Sequence, residues 1–148
     1  MTAYVIDTNI VFSILHSPQS AMAAAFFKAE EYGIVFIAPQ YLQYEIEDHR
    51  QKLLSLTRLD SKSLDRMLAL VYRRIKFFED RLIPLQSYWE AVRLLRDIDQ
   101  EDVPFVALSI YQQISLFTGD RKLYRGLLSR SYFQVVDFAD LKKIHSIE

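Results

Sequence analysis

The sequence predicts an α/β protein with a three-layer α/β/α fold, in which helices cover both faces of a central, mostly parallel sheet of four to five strands. Short apolar runs, such as residues 34–37, alternate along the chain with longer amphipathic segments. Strands that alternate with helices form parallel sheets covered on both faces. The 148 residues and the 51% content of hydrophobic residues suit a single domain over residues 1–148.

The first half of the chain is predicted to contain two strands and four helices. Residues 3–6 and 34–37 are apolar and short enough for buried strands, and Gly33 suits the left-handed turn that ends the helix before the second strand. Apolar residues at helical spacing predict one helix that continues through Ile75 and Phe78. The predicted helices are residues 9–15, 21–32, 39–56 and 61–78.

The second half of the chain continues the alternation. A short extended piece at residues 82–85 precedes an amphipathic helix over residues 88–98. An acidic run over residues 97–102 leads into residues 103–111, which are apolar nearly all round and therefore predict a buried helix. Strands at 115–118 and 133–136 flank a helix at 121–130, and a terminal helix begins at Asp137.

Composition and missing motifs exclude several classes of protein. The absence of cysteine excludes disulfides, thiolate zinc sites and cysteine nucleophiles, and it suits the cytoplasm. No apolar run reaches the ~18 to 20 residues that span a bilayer, and the first residues lack the basic leader of a signal peptide. There is no Gly-x-Ser-x-Gly elbow and no phosphate-binding glycine loop, which argues against serine hydrolases and P-loop nucleotidases.

Four carboxylates fall where the predicted fold would bring them together. Asp7 follows the first strand, and Glu45 lies in the helix after the second strand. Asp102 opens the buried helix, and Asp120 follows the strand at residues 115–118. All four positions belong to the carboxyl side of a parallel sheet, where open α/β sheets bind their ligands. Each Asp could instead serve only as a helix cap, so their convergence is the informative feature.

Helical geometry selects Glu45 among the three acids of its helix. At 100° per residue, Glu45 borders the apolar stripe at about 70° from its centre, whereas Glu47 and Asp48 lie about 130° away. Glu47 and Asp48 are therefore predicted to be solvated. His49 falls on the apolar stripe, and none of the three histidines has metal-ligand spacing, so we expect His49 to be a core residue.

A group of four carboxylates calls for a counter-charge. Two carboxylates ~4 Å apart repel each other by roughly 4 kcal/mol at an effective dielectric constant of 20. Protonation, dispersal or a cation could relieve that repulsion, and a divalent cation does so most simply. With oxygen ligands and no cysteine, the expected ion is Mg²⁺ or Mn²⁺.

The motifs around these acids resemble those of the PIN-domain nucleases, a family that includes the VapC-type toxins of bacterial toxin–antitoxin pairs. Residues 5–9, Val-Ile-Asp-Thr-Asn, resemble the family's opening motif, and Glu45 its helical glutamate. Residues 102–108, Asp-Val-Pro-Phe-Val-Ala-Leu, resemble the third acid and its apolar helix, and residues 118–120, Thr-Gly-Asp, resemble the fourth. The motifs occur in the family's order over nearly the whole chain.

The resemblance implies a PIN-like fold and metal-dependent hydrolysis of phosphodiester bonds, usually in RNA, to give a 5′-phosphate and a 3′-hydroxyl. It implies that one or two Mg²⁺ or Mn²⁺ ions are held by Asp7, Glu45, Asp102 and Asp120. Asp99 is either an additional ligand or a solvated charge. Asn9 and Thr118 would orient the carboxylates or their waters. The resemblance also implies a small antitoxin as partner and pairing into homodimers.

Contacts with the RNA are less sharply defined by the sequence. The basic residues after Asp120 are candidates for binding phosphates, and a second basic cluster lies at residues 73–76. Tyr41 and Tyr44 could stack on unpaired bases or pack in the core. The candidates after Asp120 are Arg121, Lys122 and Arg125.

We therefore expect a Mg²⁺- or Mn²⁺-dependent endoribonuclease acting on single-stranded RNA, the toxin of a toxin–antitoxin pair. Two alternatives stay open. One is a non-catalytic PIN-fold module that binds RNA or protein. The other is a small metal-dependent phosphatase, although residues 7–9 lack the second Asp of haloacid-dehalogenase-like enzymes.

Overall fold

The computed structural model describes residues 1–148 and contains five strands and nine α-helices. The strands are β1 Thr2–Ile6, β2 Ile34–Pro39, β3 Ile75–Phe78, β4 Ser115–Phe117 and β5 Val135–Val136. The helices are α1 Thr8–His16, α2 Ala21–Phe27, α3 Tyr41–Asp48, α4 Arg50–Thr57, α5 Ser61–Tyr72, α6 Leu85–Leu94, α7 Val103–Gln112, α8 Arg121–Ser129 and α9 Phe138–His145. Single 3₁₀ turns cover Ala29–Tyr32, Asp80–Leu82 and Gln100–Asp102.

The strands form one sheet in the order β3-β2-β1-β4-β5, and every pairing is parallel. The predicted α/β class, with a mostly parallel sheet of four to five strands and flanking helices, is confirmed. The chain leaves β1 toward β2 and β3, and it then returns to the other side of β1 for β4 and β5. The order therefore reverses between β1 and β4, which is where open α/β sheets have their ligand crevice.

A single hydrophobic cluster fills the space between the sheet and the helices. The side chains of Val5 and Ile6 on β1 are fully buried in it. So are Phe105, Val106, Ala107 and Leu108 on α7, which agrees with the prediction of a buried helix after the acidic run. Because α7 packs against β1, β2 and β4, its first residue is held close to the carboxyl ends of the central strands.

The prediction of one helix over residues 61–78 is wrong at its end. Helix α5 stops at Tyr72, and residues 75–78 form the edge strand β3. Ile75 pairs with Phe36 in the register of β2. The apolar spacing of Leu68, Val71 and Ile75 fits a helix, but backbone pairing with an exposed edge of β2 decides the structure.

Other predicted boundaries also move. The helix predicted over residues 39–56 is two helices that meet at His49, and Pro39 is the last residue of β2. Residues 21–32 are α2 followed by a 3₁₀ turn, and Gly33 ends that turn in the left-handed conformation with φ of 70° and ψ of 30°. In the piece predicted as extended at residues 82–85, Leu82 ends a 3₁₀ turn, Ile83 and Pro84 are extended, and Leu85 begins α6.

No single helix is both long and apolar enough to cross a membrane. Helices α1 and α2, bent by 114° relative to each other, would qualify as a pair on length and composition alone. The apolar side chains Ile10, Ile14 and Phe26 of these two helices are buried in the core.

Candidate functional site

Asp7 lies directly after β1, and its side chain is 3% exposed. It occupies the N-cap position of α1, yet its side chain makes no capping hydrogen bond. Instead, the hydroxyl of Thr118 donates to Asp7 Oδ2 at 2.7 Å, and Asn9 Nδ2 donates to the same oxygen at 3.0 Å. Gly119 N donates to Asn9 Oδ1 at 3.0 Å, which fixes the amide of Asn9. Thr118, which follows β4, thus holds the carboxylate of Asp7, which follows β1.

Glu45 lies in α3, on the half-buried side that faces α1. The hydroxyl of Thr8, the first residue of α1, donates to Glu45 Oε1 at 2.7 Å. Glu47 and Asp48 are exposed, as the helical geometry of the sequence predicts. Glu45 is therefore the half-buried acid of α3, and a hydrogen bond from α1 holds its carboxylate.

Asp102 lies at the start of α7 and does not cap it with its side chain. Its Oδ2 atom is buried and has no hydrogen-bond partner. An unpartnered buried carboxylate oxygen is costly, so this atom marks a place where a proton or a cation would be stabilising.

Asp120 and Asp99 each serve as a local cap. Asp120 Oδ1 accepts from Leu123 N at 3.2 Å at the start of α8, and Asp120 N donates to Thr118 Oγ1 at 3.1 Å. Asp99 Oδ1 accepts from Glu101 N at 2.9 Å. The capping interpretation of Asp120 is thus correct for one oxygen, and its other oxygen makes no hydrogen bond to the protein.

These acids meet in one open cleft of about 360 Å³ at the carboxyl ends of β1 and β4. The structure brings together all five predicted carboxylates, and it adds residues that the sequence did not single out for this site. The lining residues are Asp7, Thr8, Asn9, Phe12, Glu45, His49, Lys52, Asp99, Glu101, Asp102 and Asp120.

Burial and mutual repulsion make the cleft a poor place for negative charge. Burial raises the pKa of Asp7 to about 6. Hydrogen bonds from Thr118 and from the backbone oppose this rise, and repulsion from Asp120 adds to it. Burial likewise raises the pKa of Glu45 to about 7. Burial, then repulsion from Asp7 and Asp99, raises the pKa of Asp102 to about 8. Such shifts at several acids of one cleft are typical of functional sites.

The donor set suits a hard divalent cation, since it consists of carboxylate oxygens and includes the unpartnered Asp102 Oδ2. In the present arrangement, however, no three of the acidic or histidine side chains are close enough together to hold one ion. Three of the acids each have one oxygen in a hydrogen bond to the protein. Asp7 accepts from Thr118 and Asn9, Glu45 accepts from Thr8, and Asp120 accepts from Leu123 N. Binding an ion would therefore require side chains to draw together.

The predicted substrate-binding residues lie outside this lining. Arg121 donates to Asp137 Oδ2 at 2.7 Å and lies over the ring of Tyr124, so its guanidinium is already occupied. Lys122 and Arg125 are exposed on α8 and form no ion pair. Tyr44 is 62% exposed and stacks on Tyr41 with ring centroids 5.6 Å apart.

Sequence reasoning missed the contribution of α4 to the cleft. His49 is half-buried and makes a core-like contact with Phe12, but it also lines the cleft together with Lys52. Glu45, His49 and Lys52 are spaced at i, i+4 and i+7, which is the signal that could have revealed them. Attention to the apolar stripe assigned His49 to the core and left Lys52 unconsidered.

Comparisons with known proteins agree with this architecture. A family model described as the PIN domain matches residues 5–141. No curated protein matches the chain at a significant level. The crystal structure of PAE2754 from Pyrobaculum aerophilum superimposes with a TM-score of 0.70 at 18% identity, covering 99% of this chain and 91% of that one.

A second solved structure is VapBC2 from Rickettsia felis bound to a DNA fragment from its promoter. It matches with a TM-score of 0.66 at 13% identity, covering 92% of this chain and 97% of the other. At such identities, the two structures show that the fold is shared.

Proposed function

The chain belongs to the PIN-domain family, and we propose that it is a metal-dependent endoribonuclease that hydrolyses phosphodiester bonds in single-stranded RNA. The observation that supports this most strongly is the buried, unpartnered Asp102 Oδ2 atom in a cleft that it shares with Asp7, Glu45 and Asp120. A bound cation would stabilise these carboxylates in their charged form at neutral pH.

The proposed ligands are the four carboxylates, with Asp99 as an auxiliary at the rim of the cleft. Asn9 and Thr118 each donate a hydrogen bond to Asp7 Oδ2, and Asn9 also donates to the Thr118 hydroxyl, so that the carboxylate of Asp7 is oriented before any ion binds. The chemistry that Mg²⁺ or Mn²⁺ supplies at such a site is activation of a water molecule near neutral pH and stabilisation of the leaving oxygen.

The direct test is cleavage of single-stranded RNA by the purified protein. We expect cleavage with Mn²⁺ or Mg²⁺ and none with EDTA, and products that carry a 5′-phosphate. Asp7→Asn and Asp120→Asn should each abolish cleavage. Asp48→Asn is the matched control, since Asp48 is exposed on the helix that carries Glu45 and lies outside the cleft.

The outcome of this assay also separates the alternatives. RNA that is bound but stays intact with both metals, over several sequences, would favour a binding module. Hydrolysis of small phosphomonoesters without cleavage of RNA would favour a phosphatase. The acidic lining favours the nuclease over the RNA-binding module, because six carboxylates in one cleft repel RNA unless cations neutralise them.

We also propose that the protein is the toxin of a toxin–antitoxin pair and acts in the cytoplasm, where its RNA substrate lies. The structural likeness to VapBC2 supports this assignment. A short neighbouring gene that encodes a DNA-binding protein would supply the antitoxin. Co-expression of that protein should relieve growth arrest caused by the wild type, and Asp7→Asn alone should cause no arrest.

A homodimer is proposed on the basis of an exposed apolar face of α6. Leu85, Trp89 and Val92 recur at i, i+4 and i+7 and are 70%, 63% and 37% exposed. A contiguous apolar face of this kind marks a protein contact. Sedimentation should show a dimer for the wild type and a monomer for Trp89→Glu; a monomeric wild type at micromolar concentration would contradict the proposal.

A further inference from the structure

Lys52 is the single basic residue among the side chains that line the acidic cleft. It lies on α4, which packs against α1, and it follows Glu45 by seven residues. The neighbouring Leu53 is 1% exposed and fixes α4 in the core. Lys52 itself is exposed, so its stem is free to place the ammonium group over the cleft.

The position of Lys52 relative to Glu45 is set by contacts between the two helices. His49 Nδ1 donates to the backbone carbonyl of Glu45 at 2.9 Å, since a carbonyl can only accept. The ring of His49 also meets the edge of Phe12 on α1, with centroids 5.8 Å apart. These contacts hold the break between α3 and α4, and with it the backbone of Lys52, beside the cleft.

The ammonium group of Lys52 forms no ion pair, although six carboxylates line the same cleft. The ion pairs of the molecule involve only Arg50, Arg81 and Arg121 as cations. Each of these is already neutralised by a nearby acid. Lys52 therefore keeps an unpaired positive charge in the lining of the cleft.

The charge of the cleft makes that uncommitted cation important. With all six carboxylates ionised, Lys52 charged and His49 neutral, the lining has a formal charge of −5. Two divalent cations, the most that the family resemblance implies, would still leave this lining negative. An RNA strand brings further negative charge on either side of the bond that is cut, and this charge requires a cation of the protein.

We propose that Lys52 binds a phosphate of the RNA strand adjacent to the one that is cleaved, and that it thereby places the strand in the cleft. The proposal rests on the proposed ribonuclease function. Lys52 is a substrate-binding residue in this scheme, because it contacts a phosphate that does not react. Arg121, Lys122 and Arg125, which lie outside the cleft, stay predicted to contact phosphates farther along the strand.

The test compares Lys52→Ala and Lys52→Arg with the wild type in RNA cleavage at several salt concentrations. Loss of one charge-assisted phosphate contact should raise KM about tenfold, and kcat should change little. The plot of log(kcat/KM) against log[salt] should become shallower by about 0.7, the contribution of one phosphate contact on a single strand. Lys52→Arg should restore most of the loss.

The matched control is Lys62→Ala, which removes an exposed lysine of α5 that lies outside the cleft and forms no ion pair. It should leave KM and the salt dependence unchanged. All variants should melt at nearly the temperature of the wild type, since both lysines are exposed. A fall in kcat with unchanged KM and salt dependence for Lys52→Ala would overturn the proposal.

A binding measurement separates this proposal from the nuclease function. In the Asp7→Asn background with Mg²⁺, Lys52→Ala should weaken the binding of a fluorescent single-stranded RNA about tenfold. Equal binding with and without Lys52, while the wild type cleaves RNA, overturns the role of Lys52 and leaves the nuclease intact. Weakened binding without cleavage by the wild type supports Lys52 and overturns the nuclease. No binding by either variant overturns the role of Lys52.

Discussion

At the scale of single residues, Thr118 forms the hydrogen bonds that connect the two strand ends of the site. Its side chain is fully buried, and its hydroxyl joins Asp7, Asn9 and the backbone of Asp120 in one network. The sequence could identify Thr118 as a neighbour of Asp120, because the two are adjacent in the chain. It could not show that Thr118 donates to Asp7, because this contact depends on the pairing of β1 with β4.

Replacing Thr118 with Val removes the hydroxyl and nearly preserves the volume. We expect a loss of about 1–3 kcal/mol in the free energy of unfolding, because buried partners of that hydroxyl are left unsatisfied. Urea unfolding in EDTA measures this loss. Thr118→Ser retains the hydroxyl and should restore the hydrogen-bonding part of the loss; a Val variant as stable as the wild type would show that the network contributes nothing.

The raised pKa values of the site predict how the metal-free protein responds to pH. Asp7, Glu45 and Asp102 bind protons more tightly when folded, with pKa values of about 6, 7 and 8, than at their ordinary values of 3.8, 4.5 and 3.8. Protonation therefore favours the folded state, and stability should rise as the pH falls from 9 to 6. Melting curves in EDTA check this. Stability that falls steadily over the same range would contradict it.

At the scale of elements, the boundaries that the sequence misplaced share a physical cause. No glycine or proline lies between α5 and β3, and Arg73 and Arg74 turn the chain where the apolar period continues unbroken. The sequence also gives no signal for the break between α3 and α4 at His49, because the apolar residues of both helices continue at helical spacing. Tertiary pairing and packing decide both places, whereas the ends marked by Gly33 or by capping acids could be predicted.

The contact between α8 and the segment that carries the acidic run provides a prediction at this scale. A methyl group at Gly126 would come within 2.5 Å of Ile98 Cδ1 and 3.2 Å of Ile98 Cγ1. Gly126→Ala should therefore displace the Cδ1 end of Ile98, just before Asp99. The cost of this shift should offset the gain of about 1 kcal/mol that alanine normally brings inside a helix, so that the variant is not stabilised.

Ile98→Val removes the atom that clashes, so the double variant should be more stable than the sum of the single effects predicts. A coupling of about 0.5 kcal/mol or more in a double-mutant cycle of urea unfolding is expected. Strictly additive effects would show that α8 and this segment are not in close contact. Metal-induced stabilisation measured on the same variants would report whether the displacement reaches Asp102.

At the scale of the whole molecule, the site follows from the strand order. The strand order reverses between the parallel neighbours β1 and β4, so that acids 113 positions apart in sequence, Asp7 and Asp120, lie at one end of the sheet. This convergence could be predicted from the alternation of strands and helices. The packing of α4 against α1, which sets Lys52 beside the cleft, could not be predicted. Only the spacing of Lys52 from Glu45 was visible in the sequence.

The balance between repulsion and metal binding is best tested on Asp102, whose Oδ2 atom is buried without a partner. Above pH 8, Asp102→Asn removes one of the repelling charges and one proposed ligand. Loss of the charge should raise the melting temperature in EDTA, whereas loss of the ligand should reduce the rise that a metal ion causes. A single variant therefore distinguishes a metal site from an ordinary acidic surface. Asp48→Asn again serves as the control, and it should respond to metal as the wild type does.

The measurement is the melting temperature of the wild type and of Asp102→Asn in EDTA and in millimolar Mn²⁺. We expect Asp102→Asn to melt at a higher temperature than the wild type in EDTA, because repulsion is relieved. We expect Mn²⁺ to raise the melting temperature of the wild type by linkage and to raise that of the variant much less. An equal response of both proteins to Mn²⁺, or no response of either, would contradict the metal site.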